Sequence, residues 1–163
     1  MKQFYVLKSK IHGYGLAAGE NIKKGEVIAR IRGIMKFKVN RNKKDALGNP
    51  DWVGVEKNIW IDPEKPYKFI NHSCDANAGI KGKRTLGAVK NIREGEEITL
   101  DYSTIEGDNR WAMICACNSN GCRKLIKSIH HLSEEDFNKY MPYIPSYFKK
   151  IYISTAKKNG KKV

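Results

Sequence analysis

Apolar residues fall in short runs over the first two-thirds of the chain and shift to a helical spacing near its end. Val27 to Arg32 alternates apolar and polar positions with β-branched side chains, the pattern of a half-buried strand, and the Asn21 to Gly25 stretch turns into it. Phe4 to Ser9 is a second strand candidate, followed by the turn-rich His12-Gly13-Tyr14-Gly15. Val53 to Val55, Asn58 to Ile61, Thr85 to Val89 and Glu97 to Leu100 complete the set, the last after an Arg93-Glu94-Gly95 turn. Asn40 to Asp51 is polar and contains Gly48-Asn49-Pro50, so it reads as a loop. Short strands at this spacing predict a mainly β domain rather than a parallel α/β sheet.

The pattern changes at Ser133-Glu134-Glu135-Asp136, where an N-cap serine is followed by acidic residues that suit the positive end of a helix. Phe137, Tyr140, Met141 and Ile144 continue at helical spacing until Pro142 and Pro145 interrupt it; Tyr147, Phe148 and Ile151 predict a second short helix. This aromatic stripe is expected to pack on the β domain as core, not to line a cofactor.

At 163 residues the chain suffices for one domain with a sizeable core. No apolar run approaches the roughly 20 residues of a membrane-spanning helix. The apolar stretch before Lys8 is short and lacks a small-residue cleavage site, so no signal peptide and an intracellular location (cytoplasm, or nucleus for a chromatin substrate) are expected, with no membrane partner. Lys plus Arg number 31 against 17 Asp plus Glu, a formal charge of +14 that attracts polyanions. The charge gathers in Lys36, Lys38, Arg41, Lys43 and Lys44 and in Lys157, Lys158, Lys161 and Lys162. Neither cluster interleaves aromatics as a base-stacking surface does, so weak nucleic-acid association and mere solubility fit equally well.

Cys115-Ala116-Cys117 and Cys122 form a C-x-C-x4-C cluster rich in neighbouring Asn and Gly. Three thiolates this close can share one zinc ion, but a structural tetrahedral site takes four ligands. Cys74 is the remaining cysteine; His12, His130 and His131 are alternatives, and a cluster of buried free thiols is the metal-free reading.

Phe69-Ile70-Asn71-His72-Ser73-Cys74-Asp75-Ala76-Asn77, followed by Gly95-Glu96-Glu97-Ile98-Thr99-Leu100-Asp101-Tyr102, resembles the two signature motifs of SET-domain methyltransferases. His12-Gly13-Tyr14-Gly15-Leu16 resembles the family's N-terminal G-x-G turn, and the cysteine cluster with Arg123 resembles its post-SET zinc segment. The resemblance covers about residues 3–127, in the family's order; the pre-SET zinc cluster of larger members is not expected here. It divides the chain into a SET domain at 3–103, a post-SET zinc segment at 111–127, a C-terminal helical segment at 132–152 and a frayed basic tail at 153–163. It implies several small twisted sheets, with the Asn71–Cys74 segment and the strand end before Tyr102 crossing like a pseudoknot.

The implied activity is methyl transfer from S-adenosylmethionine to a lysine side-chain amine in a protein or peptide, a histone or another basic protein. By resemblance Tyr102 is catalytic, placing its hydroxyl beside the reacting amine and methyl; a merely structural strand aromatic is the plainer reading. Gly13, Tyr14, Gly15, Asn71, His72 and Tyr102 are the expected cofactor contacts, with His72 as a general base the lesser alternative. Cys74, Cys115, Cys117 and Cys122 are the expected ligands of a structural zinc. Asp101 is expected to fix the turn before Tyr102.

Departures from the family pattern are Ala76 for a loop-stiffening Pro, Lys68 for an Arg, and Ile31 where a Tyr usually precedes Gly33. Leu100 stands where the family carries Phe or Tyr; lacking a hydroxyl to hold a channel water, it predicts di- or trimethylation. Trp52 and Trp60 are candidates for the channel and equally for the core, and Trp111, Arg123 and Leu125 are candidates for closing over the cofactor and peptide. Substrate choice is assigned to Met35 to Trp52 and to the segment after Tyr102. The competing functional class is a SET-like module without catalysis that binds a basic tail or nucleic acid; retention of Asn71, His72 and Tyr102 argues against it.

Overall fold

A computed structural model describes residues 2–37 and 52–160. The loop predicted at Asn40 to Asp51 and the basic residues Lys38, Arg41, Lys43, Lys44, Lys161 and Lys162 lie outside the described residues. The described strands are β1 (Phe4–Lys8), β2 (Tyr14–Ala18), β3 (Val27–Arg30), β4 (Gly33–Phe37), β5 (Val53–Glu56), β6 (Ile59–Pro63), β7 (Asn71–His72), β8 (Ala78–Lys81), β9 (Thr85–Ala88), β10 (Glu97–Leu100), β11 (Ala112–Ile114) and β12 (Leu125–Lys127), followed by helices α1 (Glu134–Tyr140) and α2 (Ser146–Lys158). They form a mixed sheet in the order β1-β2-β10-β8-β9-β3 with β7 beside β10, a three-stranded sheet β4-β6-β5, and the hairpin β11-β12. The predicted mainly β architecture of small sheets is present.

β10 is the axis of the fold. Ile98, Thr99 and Leu100 are all buried, because the strand is covered on both faces and alternation is lost. Its two edges are used differently. Ala18 N–H donates to the Glu96 carbonyl (3.0 Å) and Ser73 N–H to the Leu100 carbonyl (3.0 Å), both on the even-numbered edge. Asn77 takes the odd edge, donating from Nδ2 to the Glu97 carbonyl (2.8 Å) and accepting from Thr99 N–H at Oδ1 (2.9 Å). So β7 continues the edge that β2 occupies, running parallel to β10, while Asn77 and the parallel β8 hold the other edge. Residues 73–77 therefore pass across the end of β10, which is the crossing that the resemblance implied.

Sequence patterns did not reveal β2, β4, β7, β8 or the β11-β12 hairpin. β8 and β9 are rich in Gly and Ala, which carry little β propensity. Their composition has a packing cause: a Cβ at either of the paired residues Gly79 and Gly87 would run into the Tyr143 side chain. The Ile80 N–H donates to the Tyr143 carbonyl (3.0 Å), fastening the stretch between the helices onto this notch.

Ser133 caps α1 as predicted, accepting from Asp136 N–H at 3.0 Å. α2 is longer than the expected short helix and continues through Lys158, six residues into the segment read as tail. The reason is burial: Tyr152 and Ala156 extend the apolar face of Phe148 into the main core, and the Phe137 and Tyr152 rings stack 3.8 Å apart. α1 also clamps the crossing. The buried Tyr140 hydroxyl donates to the Cys74 carbonyl (3.1 Å) and accepts from Ala76 N–H (3.0 Å), and Lys139 pairs with Asp75 at 2.7 Å. Tyr140→Phe should leave both backbone groups unpaired at a buried site and cost about 1–3 kcal/mol in urea unfolding.

Candidate functional site

Asn71, His72, Cys74 and Tyr102 meet at the C-terminal end of β10. Tyr102 opens a 3-10 turn (Tyr102–Ile105) capped by Asp101, whose Oδ1 accepts from Ser103 N–H at 3.1 Å, so Asp101 fixes the turn that begins with Tyr102 rather than one before it. Tyr102 is held at two points by the crossing segment. Its N–H donates to His72 Nδ1 (3.2 Å) and its hydroxyl donates to the Ile70 carbonyl (2.8 Å). The half-buried ring lies 5.3 Å from that of His72 and packs against both the main core and the thiol cluster.

The Asn71 amide nitrogen donates to the carbonyls of His12 (3.1 Å) and Tyr14 (2.9 Å) and to Glu97 Oε1 (2.7 Å). The G-x-G turn and the Asn-His motif are thus one hydrogen-bonded unit. Glu97, which sequence reasoning passed over, is its far post: both carboxylate oxygens also accept from the Ser9 hydroxyl (2.9 and 2.8 Å). Gly15 belongs here for lack of space, since a Cβ would overlap the Glu97 carboxylate. Tyr14 is exposed beside Phe69, ring centroids 5.8 Å apart.

The sulfurs of Cys74 and Cys115 lie 3.7 Å apart, and Cys117 N–H donates to Cys115 Sγ and Cys74 N–H to Cys117 Sγ, both at 3.4 Å. The ligand atoms of His72, Cys74, Cys115 and Cys117 all fall within 4.8 Å of one another. Cys122 ends a turn closed by its own N–H to the Ser119 carbonyl (2.9 Å), packs on the same cluster and interacts with the Cys115 thiol. Burial pushes the Cys115 thiol up. Burial also works against ionisation of Cys117, but the Ser119 hydroxyl and the N–H groups of Cys74 and Ser119 outweigh it and bring that thiol down to about 6. His130 pairs with the Thr155 hydroxyl and His131 with the Asn109 carbonyl, and His12 is exposed in its turn, so none of the three histidines named as alternatives joins the thiols.

His72 is the histidine that does, and its side-chain place was not foreseen. It is buried and neutral: desolvation and then the Arg123 charge lower it to about 4, against an opposing effect of the Leu100 carbonyl. Because Nδ1 accepts from Tyr102 N–H, the ring proton sits on Nε2, 3.4 Å from Cys74 Sγ. That nitrogen donates to the sulfur, and a protonated nitrogen has no lone pair for a metal. Ligation would need the proton on Nδ1, facing another donor. Cys122 stands outside the group of four whose ligand atoms lie within 4.8 Å of one another, and His72 takes the fourth place in it.

Arg123 is the second surprise. Its N–H and Nε donate to Cys74 Sγ (3.4 Å each), and Nη2 donates to Asp101 Oδ1 at 2.7 Å. Burial works against the Arg123 charge, but Asp101 and the Cys74 sulfur outweigh it and hold the guanidinium firmly protonated. The position directly after Cys122 was visible in sequence; its reach to Asp101, 22 residues earlier, was not. Ile31 is buried in the core. Trp52 has a buried Nε1 without a partner among the described residues, with the Lys36 ammonium 5.7 Å over its ring, while Trp60 lies in β6 and Trp111 packs on the thiol cluster. Leu125 is exposed on β12 opposite Ile114. Among the described residues no helix is long and apolar enough to cross a membrane.

The family model described as SET domain matches residues 13–103. The probable histone-lysine N-methyltransferase set-23 of Caenorhabditis elegans is 31% identical over 137 residues, covering 70% of this chain and 55% of its own length. The histone-lysine N-methyltransferase, H3 lysine-4 specific, of Schizosaccharomyces pombe is 32% identical over 138 residues, covering 75% of this chain and 15% of its own. The solved structure of KRYPTONITE in complex with mCHG DNA and SAH matches with a TM-score of 0.58 at 22% identity, covering 76% of this chain and 29% of that one. The chain thus spans about half the length of the nematode relative and far less of the yeast one.

Asn71→Ala should free the turn at residues 12–14 by removing two hydrogen bonds to its carbonyls. Backbone amide exchange there should speed up by roughly tenfold or more, while the β8-β9 pair stays protected.

Proposed function

The chain belongs to the SET-domain family, and on that premise we propose that it moves a methyl group from S-adenosylmethionine to the side-chain amine of a lysine in a protein, a histone or another basic protein. The pinning of Tyr102 supports this reading most directly. Its hydroxyl proton is directed at the Ile70 carbonyl (2.8 Å), so the oxygen can accept from an amine N–H or a polarised methyl C–H. S-adenosylmethionine supplies an electrophilic methyl on a positively charged sulfur. The new C–N bond forms in line as the C–S bond breaks, and the sulfur leaves neutral. The lysine must arrive without its extra proton, although its ordinary pKa is about 10.4. A desolvated, partly aromatic site disfavours the ammonium, and fixing the acceptor geometry supplies much of the rate. Gly13, Tyr14, Gly15, Asn71 and His72 are assigned to cofactor binding; Asn71 acts in part by holding the turn that carries the first three.

Zinc is assigned to Cys74, Cys115, Cys117 and Cys122 as a structural ion. Two sulfurs on one tetrahedral zinc, with Zn–S bonds of about 2.3 Å, stand about 3.8 Å apart, close to the 3.7 Å between Cys74 and Cys115. N–H groups aimed at the sulfurs favour thiolates, and His72 is assigned as a donor to the Cys74 sulfur rather than a ligand.

Labelled-methyl incorporation into lysine-containing protein should fall by about 10²-fold or more in Tyr102→Phe, with cofactor binding kept. No transfer to any protein and no cofactor binding by calorimetry would sink the enzyme reading. Leu100, apolar and buried, should allow di- or trimethylated product by mass spectrometry; strictly monomethyl product counts against that assignment. Elemental analysis should find one zinc per chain, lost in Cys122→Ser but weakened only about 10–100-fold in His72→Ala. The reverse ranking would make His72 the ligand.

A further inference from the structure

Arg123 stands between the thiol cluster and Tyr102. At one end its main-chain N–H and its Nε both donate to Cys74 Sγ, at 3.4 Å. At the other, Nη2 donates to Asp101 Oδ1 at 2.7 Å and Nη1 to the Ser103 hydroxyl at 3.3 Å. Asp101 and Ser103 are the two residues flanking Tyr102, so one planar group grips the backbone turn on both sides of it. The Asp101 side chain has no exposure, and its Oδ2 has no partner among the described residues. Its Oδ1 is shared by Arg123 and Ser103 N–H, and His72 Nδ1, 3.7 Å away, is an acceptor already engaged by Tyr102. Arg123 is therefore the cation that keeps this buried carboxylate in place. A lysine could not do the same, because a single ammonium cannot reach a sulfur, a carboxylate and a hydroxyl in one fixed fork.

We propose that Arg123 is a positioning residue that sets the place of Tyr102 by holding both of its neighbours, and takes its own place from Cys74, so that occupation of the thiol site by metal is felt at the Tyr102 hydroxyl. The inference rests on the zinc assignment and on the role given to Tyr102 above. A zinc-bound Cys74 keeps its sulfur fixed in space, and Arg123 carries that constraint about one side chain's length to Asp101. Zinc then does more than join two chain segments: it defines one end of a rigid strut whose other end is the turn carrying Tyr102.

The test follows Tyr102 rather than turnover alone. Protein labelled at tyrosine is observed by NMR, and the Tyr102 ring signal is identified by its absence in Tyr102→Phe. Stripping zinc with a chelator should shift that signal in the wild-type chain, and adding zinc back should restore it. The double variant Asp101→Asn/Arg123→Met removes both buried charges together, so it leaves neither uncompensated. It should still bind zinc, yet the zinc-dependent shift of the Tyr102 signal should be lost. Arg123→Lys keeps a cation near Asp101 but not the fork; it should retain zinc and the substrate KM while kcat falls by about 10- to 100-fold. An equal zinc-dependent shift in the double variant and the wild type, or an unchanged kcat in Arg123→Lys, overturns the proposal. So does a wild-type chain whose Tyr102 signal ignores zinc. Absence of methyl transfer with the shift intact would instead remove the proposed activity and leave the strut standing.

Discussion

Every feature of the site depends on the satisfaction of β10 along both edges. A strand buried on both faces leaves no water to take up its N–H and carbonyl groups, so each must find a protein partner. β2 is too short to serve the whole of one edge, and β7 completes it; on the other edge the Asn77 side chain stands in where β8 has not yet begun. To serve both edges, residues 73–77 must cross the strand end. That crossing brings Asn71, His72 and Cys74 against the residue that follows β10, and it is why two motifs 30 residues apart form one site.

Once the crossing is made, the buried polar groups almost determine each other. Tyr102 N–H fixes the His72 tautomer, the tautomer directs Nε2–H at Cys74, and the Cys74 sulfur accepts in addition from Arg123, whose charge is met by Asp101. Each member is costly to bury alone, and the network is tolerable because its members are paired. The same logic reaches outward. Tyr140 seals the Cys74 and Ala76 backbone groups from α1, so the C-terminal helices belong to the support of the site as well as to the core.

Glu97 shows how one side chain can serve a sheet and a site together. Its backbone pairs with Ala17 in the central sheet, while its carboxylate gathers Ser9 and Asn71 around a glycine that leaves room for it. The turn that carries Gly13, Tyr14 and Gly15 is therefore rigidified by the same strand that precedes Tyr102.

The mainly β character, the N-cap of α1 and the residues that meet are legible in the order of amino acids: Asn71, Cys74, Tyr102 and the cysteine cluster are visible because their chemistry is carried by residue type and spacing. β8 was hidden because a close-packed Tyr143 demands Gly at residue 79 where propensity would ask for a β-branched side chain. The last turns of α2 were hidden because lysines on its outer face mask the buried Tyr152 and Ala156. Folding alone brings His72 to a sulfur, Glu97 to the G-x-G turn, and Arg123 across from Cys74 to Asp101. Those are directional contacts between residues far apart in the chain. Periodicity and composition record how much a position is buried, but not which partner its polar atoms will find there.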